Sequence, residues 1–235
     1  SELPAGSKGR KYKGRSVFQG DQVKDENWDA AIFAELGSSP ASMQAGKAVD
    51  AFGLLPGHVV QQADAEQAYI QSELGGTPTW VRLPRERWPK KWAGMRDPVC
   101  PLRLALYGHP DSGGYWEKHC ETHLLAQGFV PIPEWRSCYW HAELKLLLAV
   151  YVDDFKMSGP QKNMKEGWAL IRKKIKTEEP TPAGKYLGGR YRRLSRRGGI
   201  PGTLITSQTM LTQLAVTRPS GSVRGNQLTD RNRSR

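Results

Sequence analysis

The chain has 235 residues, 38% of them hydrophobic and 25% charged, enough for one large or two small domains with a real core. Lysine and arginine number 35 against 23 acidic residues, a formal charge of +12, so the expected partner is a polyanion, most simply nucleic acid. Three cysteines without a Cys-x-x-Cys pair, no apolar run of membrane-spanning length and no leader pattern exclude a disulfide scaffold and a membrane protein; the expectation is intracellular, cytoplasmic or nuclear.

In chain order, residues 1–10 read as a flexible basic N-terminus, followed by a short strand over 15–19. A helix is expected over 40–54, with Ala45, Ala48, Val49 and Phe52 on its apolar face and Gly57 beyond its end. Residues 58–64 suggest a strand, 65–74 a short helix capped by Asp64, and 79–83 a second strand closed by Pro84. The stretch 85–101 is a Trp- and Pro-rich connector. Asp111 or Ser112 caps a helix running to Gln127, with Trp116, Cys120 and Leu124 stacked at four-residue spacing and Gly128 as its stop.

Strands are expected over 137–141 and 144–152, then an acidic turn and a shorter strand. Residues 161–176 form an amphipathic helix, with Met164, Trp168, Ile171 and Ile175 on one face and Lys165, Arg172, Lys173 and Lys176 elsewhere. A further strand is expected over 185–191. Beyond it, residues 193–235 are Arg-, Gly- and Ser-rich and read as a basic, disordered tail. The pattern as a whole suggests an α+β fold, an antiparallel sheet with helices on one face.

The most informative stretch is Tyr151-Val-Asp153-Asp154, where an apolar strand stops at two adjacent carboxylates. A buried strand gains nothing by ending in two anions, whereas a divalent cation needs such a platform. A bare Asp-Asp pair is more often a solvated turn. The apolar strand before it, and a second candidate carboxylate at Asp64, shift the balance to metal. For Asp64 itself, spacing leaves a helix N-cap and a metal ligand level. His119 and His123 flank Cys120, but the zincin pattern needs Glu after the first His, so a surface histidine pair is expected.

Taken together, these residues resemble the reverse transcriptase domain of copia-type retrotransposons, part of a retrovirus-related Pol polyprotein. Asp64-Ala-Glu-Gln-Ala-Tyr-Ile-Gln-Ser-Glu-Leu74 is similar to that family's Asp-Val-Lys-Thr-Ala-Phe-Leu-Asn-Gly-Glu-Leu. Trp80-Val-Arg-Leu-Pro84 follows the family's aromatic strand. Leu102-Arg-Leu-Ala-Leu-Tyr-Gly-His-Pro-Asp-Ser-Gly-Gly-Tyr-Trp116 follows its Leu-x-Lys-Ser-Leu-Tyr-Gly-Leu-Lys-Gln-Ala-Pro-Arg-x-Trp. Tyr151-Val-Asp-Asp154 is its metal turn. Lys13-Gly-Arg-Ser-Val-Phe-Gln-Gly20 and Lys185-Tyr-Leu-Gly188 complete the order.

The resemblance implies a right-hand polymerase, with fingers and palm over 11–192, an antiparallel palm sheet backed by helices, and a thumb missing or degenerate, as in a truncated copy. It implies an RNA-directed DNA polymerase, a nucleotidyltransferase with Asp64, Asp153 and Asp154 as catalytic residues. These three and the carbonyl of Ala65 would ligate two Mg²⁺ ions, with Mn²⁺ as the alternative. Lys13, Arg15, Tyr69, Asp111 and Ser112 match positions facing the deoxynucleoside triphosphate. Tyr151, Arg172, Lys173, Lys176 and Arg190 are the candidates for an RNA or DNA template with its primer, and ribonuclease H and integrase would be companion parts. Two departures stand out. Asp111 replaces the family's Gln, with Ser112-Gly-Gly114 in place of Ala-Pro-Arg, and Lys156 replaces an apolar residue. A catalytically inactive nucleic-acid-binding remnant is therefore the alternative reading, and an unrelated basic domain a third.

Overall fold

The computed structural model describes residues 16–25, 27–33, 38–186, 189–194 and 202–207. The chain divides into two units, residues 1–183 and 184–235, each described by itself. Expected features at 1–15, at 187–188 and in the remainder of the C-terminal stretch lie outside the described residues.

Helix α1 is Met43–Phe52, entered through Ser42, whose Oγ accepts a hydrogen bond from the Ala45 N–H at 3.2 Å. Strand β1, His58–Asp64, forms as the sequence suggests. Strands β2, Trp80–Arg82, and β3, Val99–Pro101, make a separate two-stranded ladder, so the connector holds a strand the sequence did not signal. Helix α2 is Ser112–Ala126, and its expected stripe of Trp116, Cys120 and Leu124 is buried. Then come β4, Phe129–Pro131, β5, Cys138–His141, β6, Leu146–Tyr151, and β7, Asp154–Pro160. Helix α3, Gln161–Arg172, ends one turn earlier than its apolar periodicity suggests, although Ile175 is still buried; β8, Thr181–Pro182, follows.

The main sheet has six strands in the order β4-β5-β6-β7-β1-β8, and every neighbouring pair is antiparallel. Strand alternation sends Leu146, Leu148, Val150, Phe155 and Met157 to one face, under Trp116 and Leu124 of α2 and Met164, Trp168 and Ile171 of α3. Each such side chain contributes roughly 1.5–3 kcal/mol on burial, so this face fixes the register. The opposite face is also covered: Ala45 and Val49 of α1 pack with Cys138 and Ala149, flanked by Val60 and Leu147. Helices on one face only was the expectation, and α1 corrects it. The second face explains why β6, Leu146–Tyr151, reads as a nearly continuous apolar run.

Three further expectations change. Residues 65–74 form no α-helix. Ala65 bridges Thr177, the Glu66 N–H donates to the Lys176 carbonyl at 2.9 Å, and Gln67 takes a left-handed φ of +51°. Only a 3-10 turn, Ala68–Gln71, remains, because the backbone donors there are satisfied across the chain instead of along it. Strand β7 has seven residues against six in β6, so the strand after the acidic turn is the longer one. In the second unit, β9, Lys185–Tyr186, β10, Gly189–Leu194, and β11, Gly202–Ser207, form an antiparallel sheet, extending regular structure into the stretch read as a tail.

One polar contact crosses the α1 interface. Lys156, fully buried on β7, pairs with Asp50 of α1 at 2.5 Å and donates to the Gly46 carbonyl at 3.3 Å. Burial lowers the Lys156 pKa, and Asp50 opposes that shift. This is the position where an apolar residue was expected by resemblance. Breaking one side of a buried pair strands the other charge, at a cost of about 3–5 kcal/mol, whereas replacing both with apolar groups is often neutral. Thermal unfolding should therefore show a large fall in Tm for Lys156→Ala and near recovery in Lys156→Met combined with Asp50→Leu.

Candidate active site

Strand β1 runs antiparallel beside β7, and their register ends with Asp64 opposite Asp154. Asp154 is also the partner of Tyr151 across the β6–β7 hairpin, and the Ala65 N–H donates to the Asp153 carbonyl at 2.7 Å. Asp64, Ala65, Asp153 and Asp154, more than 80 residues apart in sequence, thus meet at one end of the sheet. Asp64 ends a strand and caps no helix.

The Asp154 pKa is pushed up to about 7. Its causes are desolvation first, then the charges of Asp64 and Asp153, then hydrogen bonding with the Asp64 side chain; all act in the same direction. Asp64 is exposed and Asp154 half-buried, so the desolvation falls on Asp154. Among the described residues, no three His, Cys, Asp or Glu groups are already gathered to hold a metal ion. The donor set nonetheless fits a divalent cation. Two hard oxygen ligands so crowded that one stays protonated near neutral pH are what a bound cation would relieve.

The hairpin tip is held under strain. Val152 has a φ of +56°, in a region that favours glycine and is costly for a β-branched residue, about 1–3 kcal/mol. The Trp116 indole N–H donates to the Val152 carbonyl at 2.7 Å, and the Ala41 N–H donates to the Val150 carbonyl at 3.0 Å. Behind the tip, Tyr69, Trp116, Cys120 and Tyr139 border a cavity of about 20 Å³, room for roughly one water, so the tip rests on packed side chains.

The remaining candidates separate by position. Tyr69 lies four residues after Ala65, half-buried, its ring 4.3 Å from that of Tyr107. Ser112 is buried, its hydroxyl accepting from the Leu106 N–H at 2.9 Å and donating to the Leu106 carbonyl at 2.8 Å, which closes the loop before α2. Asp111 is buried at the start of α2, makes no side-chain cap, and its N–H donates to His109 Nδ1 at 3.2 Å. Arg172 pairs with Glu179 at 2.7 Å, and Lys173 donates to Gln127 at 2.9 Å, both on the exposed side of α3. Lys176 lies next to the site through its backbone, which accepts from Glu66 N–H and Gln71 Nε2. Arg190 is in β10, in the second unit. Lys13 and Arg15 lie outside the described residues.

Two positioning residues escaped the sequence reading. Trp116 was legible as a buried stripe residue, but its bond to Val152 joins positions 36 apart. Gln71 donates to the Glu66 carbonyl at 2.7 Å and accepts from the Lys176 N–H at 2.7 Å, staking the segment after Asp64; nothing in its local pattern signals that. His119 and His123 have rings 4.3 Å apart, while Cys120 points into the core.

The geometry sets two measurable outcomes. Trp116→Phe keeps most of the ring but leaves the Val152 carbonyl unmet, so it should cost about 1–2 kcal/mol and speed amide exchange at residues 151–154. For Asp154 the folded pKa of about 7 exceeds the ordinary 3.8, so the unfolded chain loses its proton first as pH rises. The carboxyl therefore destabilises the fold progressively between about pH 4 and 7 and fully above that. Without divalent cations, Asp154→Asn should raise Tm at pH 8 and change it little at pH 4; a pH-independent effect would contradict this.

No curated protein sequence matches the chain. Among solved structures, a telomerase from Candida albicans in complex with a TWJ fragment of telomeric RNA is similar over 67% of this chain, with 12% identity and a TM-score of 0.31. The overlap is too loose to establish a shared fold, and it spans 34% of the telomerase chain. A family model described as reverse transcriptase (RNA-dependent DNA polymerase) matches residues 5–197, well over half of the 235. The chain therefore belongs to the reverse transcriptase (RNA-dependent DNA polymerase) family.

Proposed function

We propose that this chain is the fingers and palm of a copia-type RNA-directed DNA polymerase, extending a primer on an RNA or DNA template with deoxynucleoside triphosphates. The observation that carries the reading is the register of Asp64 opposite Asp154 at the strained hairpin, in a chain of this family. In this reading Asp64, Asp153, Asp154 and the Ala65 carbonyl hold two Mg²⁺ ions, or Mn²⁺. When bound, such ions lower the pKa of the primer hydroxyl and stabilise the leaving pyrophosphate.

The chain's own residues supply positioning and charge. The Asp154 carboxyl gives up its proton as it becomes a ligand, and the Ala65–Asp153 hydrogen bond keeps the two halves of the site in register. Trp116 holds the tip so that the Asp153 carboxylate is presented without rearrangement. Tyr69, braced on Tyr107, lies beneath the sugar and excludes a 2′-hydroxyl. Lys13 and Arg15 are assigned to the triphosphate through the family resemblance alone. Tyr151, Lys173 and Lys176 contact the template–primer backbone, as does Arg172 once it releases Glu179, while Arg190 stays a candidate through the family resemblance alone. Asp111 and Ser112 shape the loop instead of touching the nucleotide, since both are buried and the Ser112 hydroxyl is engaged by Leu106. Burial of Asp111 also removes an exposed anion from the path of the triphosphate.

A second reading, an inactive remnant that still binds nucleic acid, is favoured by one feature: the changed sequence over 111–114, next to the presumed nucleotide pocket. Primer extension on an RNA template with Mg²⁺ separates the two. The polymerase reading expects incorporation that falls about 10²-fold or more in Asp153→Asn and in Asp64→Asn, with template–primer affinity nearly unchanged. Binding without incorporation in the unaltered chain would leave the remnant.

A further inference from the structure

The segment joining β2 to β3 has no part in the reading above and has no core of its own: no residue from 80 to 104 is buried. It springs from the loop that carries Tyr69. The Ala105 N–H donates to the Ser72 carbonyl at 3.0 Å and the Leu74 N–H to Arg103 at 3.0 Å. The ladder then continues outward through the Leu102 N–H, which donates to Thr79 at 2.8 Å, and the pairs Trp80 with Pro101 and Arg82 with Val99. The result is an arm rooted a few residues from the acidic hairpin's partner strand.

Its charge is one-sided. Arg82, Arg85, Arg87, Lys90, Lys91 and Arg96 stand against Glu86 and Asp97, a surplus of four positive charges in 22 residues. Between them are three indoles. Trp80 is 58% exposed. Trp88 is fixed in place, its Nε1 donating to the Leu83 carbonyl at 2.9 Å and the Arg85 guanidinium 5.4 Å from its ring centre. Trp92 meets Trp88 edge to face, with ring centres 6.3 Å apart.

One indole open to water, Trp80, and two half-buried ones held in defined orientations, Trp88 and Trp92, set among cations, match a ligand that offers both flat apolar faces and regular negative charge. Unpaired nucleotides offer both, whereas a duplex offers its phosphates but keeps its base faces stacked inside. Tryptophan with arginine also suits a bilayer surface, but such anchors are amphipathic helices with a continuous apolar face, and this arm is a ladder with two short 3-10 turns, Arg85–Arg87 and Lys90–Trp92.

We propose that the β2–β3 arm is a stacking platform for single-stranded nucleic acid, engaging template nucleotides that are not yet paired at the acidic site. The identity of the strand as template rests on the polymerase reading; the stacking chemistry does not. Binding is measured on the full chain without nucleotides or divalent cations, by anisotropy of labelled 12-nucleotide RNA, DNA and duplex RNA across a salt series. Trp80→Ala with Trp92→Ala should weaken single-stranded binding by about tenfold or more, leaving duplex binding and the salt slope nearly unchanged. Trp80→Phe with Trp92→Phe should restore it. A second variant, Arg85→Gln with Arg87→Gln, Lys90→Gln and Lys91→Gln, should lower the salt slope by about 2–3.

Unchanged single-strand affinity in the Trp80→Ala, Trp92→Ala variant would overturn the proposal, as would equal losses on duplex, or tryptophan-dependent binding to anionic vesicles in place of nucleic acid. Primer extension run in parallel keeps the two questions apart. Arm-dependent binding without extension defeats the polymerase reading alone, and extension with arm-independent binding defeats the arm alone.

Discussion

The arrangement depends on one unfavourable contact, two carboxyls set opposite each other where β1 meets β7. Left alone they repel, and burial together with that repulsion holds the Asp154 carboxyl well above the ordinary carboxylate range. A protein gains no stability from this, so the register must be imposed by something stronger. It is imposed by the apolar face beneath. Phe155 and Met157 on β7 and Ala63 on β1 are locked under α2 and α3, and a one-residue slip would turn that whole set outward. The energy of the core is thereby converted into the placement of an acidic pair.

The opposite face supports the same register by a different means. Alternation along β7 puts Lys156 on the side away from Phe155 and Met157, beneath α1. A buried ammonium tolerates few arrangements, so its pairing with Asp50 fixes where α1 lies on the sheet and ties that helix to the strand that begins at Asp154. The departure from an apolar residue is thus compensated locally, by a carboxylate one helix away. The changes at Asp111 and Ser112 are accommodated similarly, by burial and by hydrogen bonds within their own loop.

Strain is concentrated where geometry matters most. Val152 takes a backbone conformation that its side chain opposes, and it is retained because the Trp116 indole, the Ala41 amide and the Ser137 carbonyl hold the end of β6 from three directions. The three contacts come from distant parts of the chain, so the tip is only as rigid as the assembled core. The β2–β3 arm is the reverse case: it lacks a core, and its order derives from a short ladder and from contacts among its own indoles and arginines.

Local pattern alone determined much of the framework. The α1 and α3 helices, β1, the α2 stripe and the acidic turn after an apolar strand follow from periodicity and from residues that punctuate it, such as Gly57 and Gly128. The residues at the site were legible too, because two adjacent carboxylates after a buried strand are chemically conspicuous. Sequence did not determine the segment after Asp64, where a helix was expected. Glu66 and Gln71 find their hydrogen-bond partners at Lys176, more than a hundred residues on, and that competition decides the backbone. Nor did it determine that α1 covers the second face, that Lys156 would meet Asp50, or that Trp116 would hold Val152. These depend on which surfaces meet once the sheet has formed, and no local window of sequence contains both partners.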